Sequence, residues 1–84
     1  MTIDEINEIN PEALICEGFD SAIIGMAERI NLGPVVAYDV DKIISILMER
    51  DGMDITEAIE YYNFNILGSW MGEYTPVFIS KNNL

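Results

Sequence analysis

Residues 39–62 carry a complete set of signals for two consecutive helices. Asp39 or Asp41 can act as an N-cap, because a short carboxylate accepts hydrogen bonds from the unpaired amides of a first helical turn. Gly52 can adopt the left-handed conformation that ends a helix. Between them, apolar residues recur along one side of a helical period, at Val40, Ile43, Ile44, Leu47 and Met48. We therefore expect a helix from Val40 to Arg50.

A second helix is expected directly after the first. Asp54 and Glu57 have the three-residue spacing of a capping box, in which each side chain bonds the other residue's backbone amide. The pattern predicts a helix from Ile55 to about Tyr62. The asparagines within residues 63–65 can end it, because asparagine tolerates the left-handed conformation.

Segments rich in β-forming residues flank this helical block. Before it, Ser21–Glu28 and Pro34–Tyr38 are apolar runs of strand length separated by turn residues, which predicts a hairpin. After it, Ile66–Met71 and Thr75–Ile79 predict two more strands joined by a glycine-containing turn, with Pro76 placing the last one at a sheet edge. The predicted fold class is α+β: a small antiparallel sheet with two short helices on one face, in the order β-β-α-α-β-β.

The length and the two ends of the chain complete this prediction. At 84 residues the chain has room for one domain, residues 1–84. Ile3, Ile6 and Ile9 recur before Pro11, so residues 1–13 are expected to form a short helix or a frayed arm. Residues 80–84 are expected to be a polar tail that frays.

Charge excludes several classes of partner. The chain has 15 aspartates and glutamates against 4 lysines and arginines, a formal net charge of −11. This field repels phosphates, so direct binding of nucleic acid is not expected, whereas cationic partners are favoured. No apolar run approaches the roughly 18 residues of a membrane span, and the acidic start differs from a basic signal peptide. We expect no membrane association and a cytoplasmic location.

Few residues could perform chemistry. The chain has no histidine, the commonest general base, and its single cysteine, Cys16, cannot close an intrachain disulfide. Cys16 also has no cationic neighbour to form a thiolate, which favours a small buried apolar residue. Asp39 and Asp41 resemble the start of a calcium loop, but Ile44 and Arg50 replace its required glycine and final glutamate. We expect no enzyme activity, no catalytic residue, no metal and no cofactor.

The last third of the chain is rich in aromatic residues, at Tyr61, Tyr62, Phe64, Trp70, Tyr74 and Phe78. Burial of one aromatic side chain removes about 150 to 250 Å² from water, more in total than two short helices and a small sheet could readily cover. Core packing accounts for some of these residues. The others are expected to face a partner, a ligand or a second copy of the chain, and we therefore expect a homo-oligomer.

The many carboxylates have two interpretations. They can form a solvated surface that keeps the protein soluble. Alternatively, they can mimic nucleic acid by occupying a groove that lysines and arginines have built for phosphates. Mimicry depends on spacing in three dimensions, and the sequence leaves both interpretations open.

Five stretches within about residues 17–79 carry a resemblance to other proteins: Gly18–Gly25, Tyr38–Asp39, Leu47–Met53, Glu57–Asn65 and Gly72–Phe78. Together they resemble a family of small, acidic, uncharacterised proteins of bacteriophages and prophages. Phage genomes hold many short acidic proteins that act by stoichiometric binding to host machinery, including inhibitors of CRISPR and restriction systems and sponges for nucleotide immune signals. The resemblance therefore implies a binding protein.

Polar residues that match the family pattern have two possible roles. They are Asp20, Glu60, Asn65, Glu73 and Thr75. Each can cap local backbone: Asp20 can close a turn, Asn65 can end a helix, and Thr75 can bond near Glu73. Alternatively they bind a partner or ligand, and Tyr38, Glu60, Asn65, Trp70, Glu73 and Thr75 converge in a pocket for a neutral or hydroxyl-rich molecule.

These observations predict a non-enzymatic, phage-type binding protein that inhibits a host defence component. Its acidic and aromatic surface is expected to engage a basic site on a host protein. Two alternatives stay open. In one, an oligomer acts as a sponge for a small nucleotide-like immune signal; in the other, the chain is a structural or assembly accessory that binds other phage proteins.

Overall fold

The computed structural model describes residues 1–81. Its helices and strands are α1 (Ile3–Ile9), β1 (Ile23–Arg29), β2 (Leu32–Asp39), α2 (Val40–Asp51), α3 (Ile55–Tyr61) and β3 (Val77–Ile79). A 3-10 turn, Asp20–Ala22, precedes β1, and a π-helical segment, Tyr62–Leu67, continues α3. The α+β class is confirmed. Of the predicted polar tail, residues 82–84 lie outside the described part of the chain.

The predicted hairpin is confirmed, but the rest of the sheet differs from the prediction. β1 and β2 pair antiparallel, joined by a tight turn in which Asn31 has a φ of 61°. β3 pairs with β2 in parallel, with Phe78 opposite Tyr38. The sheet therefore has the order β1-β2-β3 and is mixed, so the expectation of an antiparallel sheet is wrong for β3. A parallel pair needs a long crossover, which residues 40–76 supply.

The chain after α3 is helical where the sequence predicts a strand. Ala58, Tyr62 and Ile66 recur every four residues and all join the core, so the helical spacing continues past the asparagines. The amide of Gly68 donates to the carbonyl of Asn63 over 3.1 Å, the i to i+5 bond of a π-helix. The predicted helix end at 63–65 and the predicted strand at 66–71 are therefore wrong.

The helix boundaries around Gly52 follow from the predicted signals. The Asp39 carboxylate accepts from the amides of Asp41 and Lys42, so it is the N-cap of α2. Gly52 ends that helix with a left-handed φ of 69°. The capping box of α3 is present in full, with the Glu57 amide 2.8 Å from the Asp54 carboxylate.

Residues 1–13, for which a short helix or a frayed arm is expected, contain the short helix α1. The Thr2 hydroxyl accepts from the Glu5 amide over 3.2 Å, and the Glu5 carboxylate accepts from the Thr2 amide over 2.8 Å. This second capping box fixes the first turn of a helix that Asn10 ends just before Pro11.

One apolar core joins the three helices to the sheet. Its fully buried side chains include Ile6 of α1, Ile43 and Leu47 of α2, Ala58 of α3, and Val36 and Tyr38 of β2. Full burial of a large aliphatic side chain stabilises a fold by about 1.5 to 3 kcal/mol. The Tyr38 ring stacks on Phe78 with centroids 5.8 Å apart, which holds β3 against β2. Among residues 1–81, no helix combines the length and apolar character needed to cross a bilayer.

Candidate functional site

The π-helical segment Tyr62–Leu67 separates two concave surfaces. It continues the backbone of α3 without a break and ends at Gly68, where an added Cβ would lie 3.0 Å from the carbonyl oxygen of Asn63. Tyr62 points into the core, whereas Phe64 is 81% exposed. Asn65 lines both surfaces. π-helical turns are rare and are frequently found at functional sites. The two surfaces beside this segment are therefore the candidate binding sites.

The first surface, here called the acidic–aromatic groove, lies along the outer side of α3. It is lined by Met53, Glu57, Glu60, Tyr61, Phe64 and Asn65. Glu57 is held in place because its carboxylate accepts from the Asp54 amide over 3.1 Å. Tyr61 and Phe64 both expose their rings to solvent. Carboxylates beside exposed aromatic faces form the combination that binds organic cations, through ion pairing and cation–π attraction.

Three of the four lysines and arginines of the chain have partners elsewhere in the structure. The Arg29 guanidinium donates to the carbonyls of Gly33 and Glu73, each over 2.6 Å. Arg50 pairs with Asp51 at 3.0 Å and lies over the Phe19 ring. Lys81 pairs with Asp39 at 3.0 Å and lowers the pKa of that carboxyl.

The described part of the chain places no cation in the wall of the groove. None of the residues within 1–81 that line it is a lysine or an arginine. Glu57 and Glu60 therefore present negative charge to solvent beside the two exposed rings. A cation that enters from a partner would meet no competing positive side chain from the groove wall.

The second surface, here called the Cys16 cavity, lies between residues 14–19 and residues 65–78. It has a volume of about 230 Å³ and opens to solvent. Its walls are mainly apolar, and the lining residues are Leu14, Ile15, Cys16, Glu17, Phe19, Asn65, Ile66, Ser69, Met71, Thr75, Pro76 and Phe78. The cavity is positioned by a hydrogen bond from the Cys16 amide to the Tyr38 hydroxyl over 2.8 Å, which ties residues 14–19 to the sheet.

Most polar groups around the cavity are used within the chain. The Thr75 hydroxyl accepts from the Met71 amide and donates to the Gly72 carbonyl, both over 2.8 Å. The Ser69 hydroxyl donates to the Asn65 carbonyl over 3.1 Å. Burial raises the pKa of the Cys16 thiol, so the thiol stays neutral and is a poor nucleophile at neutral pH.

The structure divides the seven predicted site residues among several places. Asn65 and Thr75 line the Cys16 cavity, and Asn65 meets Glu60 in the acidic–aromatic groove. Trp70 and Glu73 line a neighbouring groove that Thr75 also borders. These residues do not share one pocket.

The remaining two predicted residues lie apart from these surfaces. Tyr38 has zero exposure, and its hydroxyl is bonded to Cys16, so its place in the expected pocket is wrong because the core buries it. Asp20 is exposed at the start of the 3-10 turn, where a local turn role is open to it.

Sequence reasoning missed one wall of the Cys16 cavity. Residues 14–17 belong to no predicted helix or strand, although Ala13, Leu14, Ile15 and Cys16 form a run of four apolar residues. Such a run between polar residues indicates a segment that packs against the core, and this signal could have found the wall. The sequence identifies Glu57 only as a capping residue of α3. That Glu57 also lines the acidic–aromatic groove depends on how α3 packs in the fold.

Comparisons with known proteins do not extend this picture. No family model, no curated protein and no solved structure matches the chain. Within residues 1–81, no three side chains of histidine, cysteine, aspartate or glutamate come together as a metal-binding group. The resemblance to phage proteins therefore stays a prediction.

Proposed function

We propose that this chain is a non-enzymatic binding protein whose acidic–aromatic groove takes a cationic side chain from a basic site on a partner protein. The observation that carries the proposal is the pairing of Glu57 and Glu60 with the exposed rings of Tyr61 and Phe64. Arginine fits this setting well, because its guanidinium bonds carboxylates in a planar fork and stacks on aromatic faces. The sequence resemblance supports a host defence component as the partner.

The alternative of a nucleotide sponge has less support. A phosphate ligand requires cationic side chains or backbone amides, and the groove and the Cys16 cavity are lined by carboxylates and apolar groups instead. The alternative of a phage assembly accessory differs from our proposal only in the identity of the partner. Capture experiments from uninfected host lysate and from infected cells separate these two proposals, since only the second lysate contains phage partners.

The proposal predicts selective binding of arginine peptides. The wild-type chain should bind a short glycine–arginine peptide in an NMR titration, and the shifts should centre on residues 57–65. The same peptide with citrulline in place of arginine should not bind, because citrulline is uncharged. Phe64→Ala should weaken binding about 2- to 20-fold, since a cation–π contact contributes roughly 0.5 to 2 kcal/mol.

Charge reversal supplies the matched control. Glu60→Lys and Glu49→Lys change the net charge equally, and both residues are exposed, but only Glu60 lines the groove. Glu60→Lys should abolish binding at low salt, whereas Glu49→Lys should reduce it only slightly. Equal losses from the two variants would show that net charge alone attracts the peptide and would contradict the proposal.

A further inference from the structure

The Cys16 cavity is a pocket that opens to solvent between residues 14–19 and residues 65–78. Its volume is about 230 Å³, and Leu14, Ile15, Phe19, Ile66 and Phe78 give it apolar walls. Ligand pockets are typically concave and mostly apolar, with a small number of polar groups. A cavity of about 150 Å³ holds a benzene ring, so the volume of this pocket suits a molecule of one or two rings.

Charge narrows the class of ligand. Among the described residues, Glu17 is the only charged one that lines the cavity, so an anion would be repelled. A cation would have to give up its hydration water to enter between the apolar walls. The single carboxylate at the rim could not compensate for that loss. The neutral Cys16 thiol adds no charge to the wall. An uncharged ligand fits these conditions best.

One polar group remains for the ligand. The hydroxyls of Ser69 and Thr75 already bond to backbone within the chain. The side-chain amide of Asn65 lines the solvent-exposed rim of the same cavity and, within residues 1–81, makes no hydrogen bond to the protein, so a ligand would replace only water there. An amide can both donate and accept, so it can bond to one hydroxyl or one ring N–H.

The backbone places this amide at the cavity. Asn65 and Ile66 belong to the π-helical segment, which turns more widely than the α-helix that it continues. The rim is fixed by Thr75, whose hydroxyl accepts from the Met71 amide and donates to the Gly72 carbonyl across the turn at residues 71–75. The polar end and the apolar walls thus belong to ordered backbone, as expected of a preformed binding site.

We propose that the Cys16 cavity binds a small, uncharged, mainly apolar molecule with one hydrogen-bonding group, of the class of phenols and indoles. This proposal is independent of the acidic–aromatic groove, because it concerns a second surface that shares only Asn65 with the groove and a ligand without charge.

Titration with indole tests the proposal. Indole added to the wild-type chain should cause saturable NMR shifts confined to residues 14–19 and 65–78, with an affinity of roughly millimolar or tighter, as expected for so small a ligand. Benzoate has a similar ring but carries a negative charge, and it should bind at least tenfold more weakly. The absence of saturable shifts, or equal binding of benzoate, would overturn the proposal.

Two variants separate the cavity from the rest of the surface. Met71 is 70% exposed, so Met71→Trp should fill the cavity mouth without disturbing the core and should reduce indole binding at least tenfold. Met48→Trp on α2 places the same new side chain away from the cavity and should leave indole binding unchanged. Circular dichroism should show that both variants fold, and Ser69→Phe offers a second block if Met71→Trp does not. Unchanged indole binding in the folded blocking variant would overturn the proposal.

The role of Asn65 has its own readout. Asn65→Leu should lower the preference for phenol over toluene at least threefold, because only phenol uses the amide. Toluene binding should persist, since the apolar walls remain. An unchanged preference would overturn the assignment of Asn65 as the polar contact. Arginine-peptide binding by Met71→Trp should remain as in the wild type, which keeps this test separate from the function proposed above.

Discussion

Tyr38 is the residue on which the positions of several segments depend. It is fully buried in β2, stacks on Phe78 of β3, and accepts a hydrogen bond from the Cys16 amide. Burial raises its pKa to about 12, above the value of about 10 for an unfolded tyrosine. A raised pKa in the folded state means that this contribution to stability is present in full below about pH 10 and is lost as the pH rises through about 12.

Tyr38→Phe tests this contribution. At pH 8 the variant should lose about 1 to 2 kcal/mol of unfolding free energy, because the Cys16 amide loses its acceptor. Between about pH 10 and 12, however, the variant should decline less steeply than the wild type, since its ring cannot ionise. Urea unfolding followed across this pH range measures both effects.

Tyr61→Phe is the matched control for this measurement, because Tyr61 is exposed on α3 and makes no such bond. It should keep the steep alkaline decline of the wild type. If Tyr38→Phe also keeps the steep alkaline decline, the decline is not caused by burial of the Tyr38 hydroxyl. Burial also raises the pKa values of Cys16 and Tyr62, which leaves a smaller decline in every variant.

At the scale of elements, Gly52 separates two helices that the sequence already defines. It lies between α2 and the capping box of α3, and its φ of 69° is one that other residues rarely adopt. An added Cβ at Gly52 would meet no atom within 4 Å. A substitution there therefore reports backbone conformation without a steric clash.

Gly52→Ala should lower the free energy of unfolding by about 1 kcal/mol or more, because alanine is strained in the left-handed region. Gly25→Ala in β1 is the control: its Cβ also has open space, but Gly25 has no positive φ. That variant should be neutral or stabilising by up to about 1 kcal/mol. Thermal unfolding of both variants measures the difference, and equal effects would contradict the argument.

Local signals explain which elements could be predicted from the sequence. The hairpin, α2 and the start of α3 depend on caps, turn residues and periodicity within a few neighbouring positions. The π-helical segment and the parallel pairing of β3 depend on contacts with distant residues. Ile66 packs in the core and Phe78 reaches Tyr38, so tertiary packing decides both segments.

The same distinction holds for the candidate site. The surplus of aromatic residues and of carboxylates was visible in the sequence, and Glu60 and Asn65 were named from it. Whether these side chains meet depends on how α3 continues into the π-helical segment. Tyr38 could not be recognised as a core residue, because a tyrosine at strand spacing is equally compatible with a buried or an exposed face.

At the scale of the whole molecule, net charge disfavours self-association, whereas exposed apolar surface favours it. The net charge of −11 makes copies of the chain repel one another, and repulsion within each copy also destabilises its folded state. Large apolar side chains nevertheless remain exposed, among them Ile30, Phe64, Trp70 and Met71. Salt screens the repulsion without weakening apolar contacts, so it should favour both the folded state and the expected homo-oligomer.

Raising the sodium chloride concentration from about 20 to 300 mM should increase the melting temperature by roughly 4 to 8 °C, the shift that about 1 kcal/mol produces in a chain of this size. Light scattering over the same range should show mass that grows with salt. Glu49→Lys, which reduces the net charge, should respond less. A melting temperature that falls with added salt would contradict this balance of forces.

The parallel pairing of β3 has a consequence for how the chain reaches its native state. β3 is made last, yet its partner β2 is complete before the whole helical half is synthesised. Closing so long a loop is entropically costly, so we expect the hairpin and α2 to form first and β3 to dock late. Until β3 docks, β2 would keep an unpaired edge, and we therefore expect a nascent or C-terminally truncated chain to be prone to aggregation.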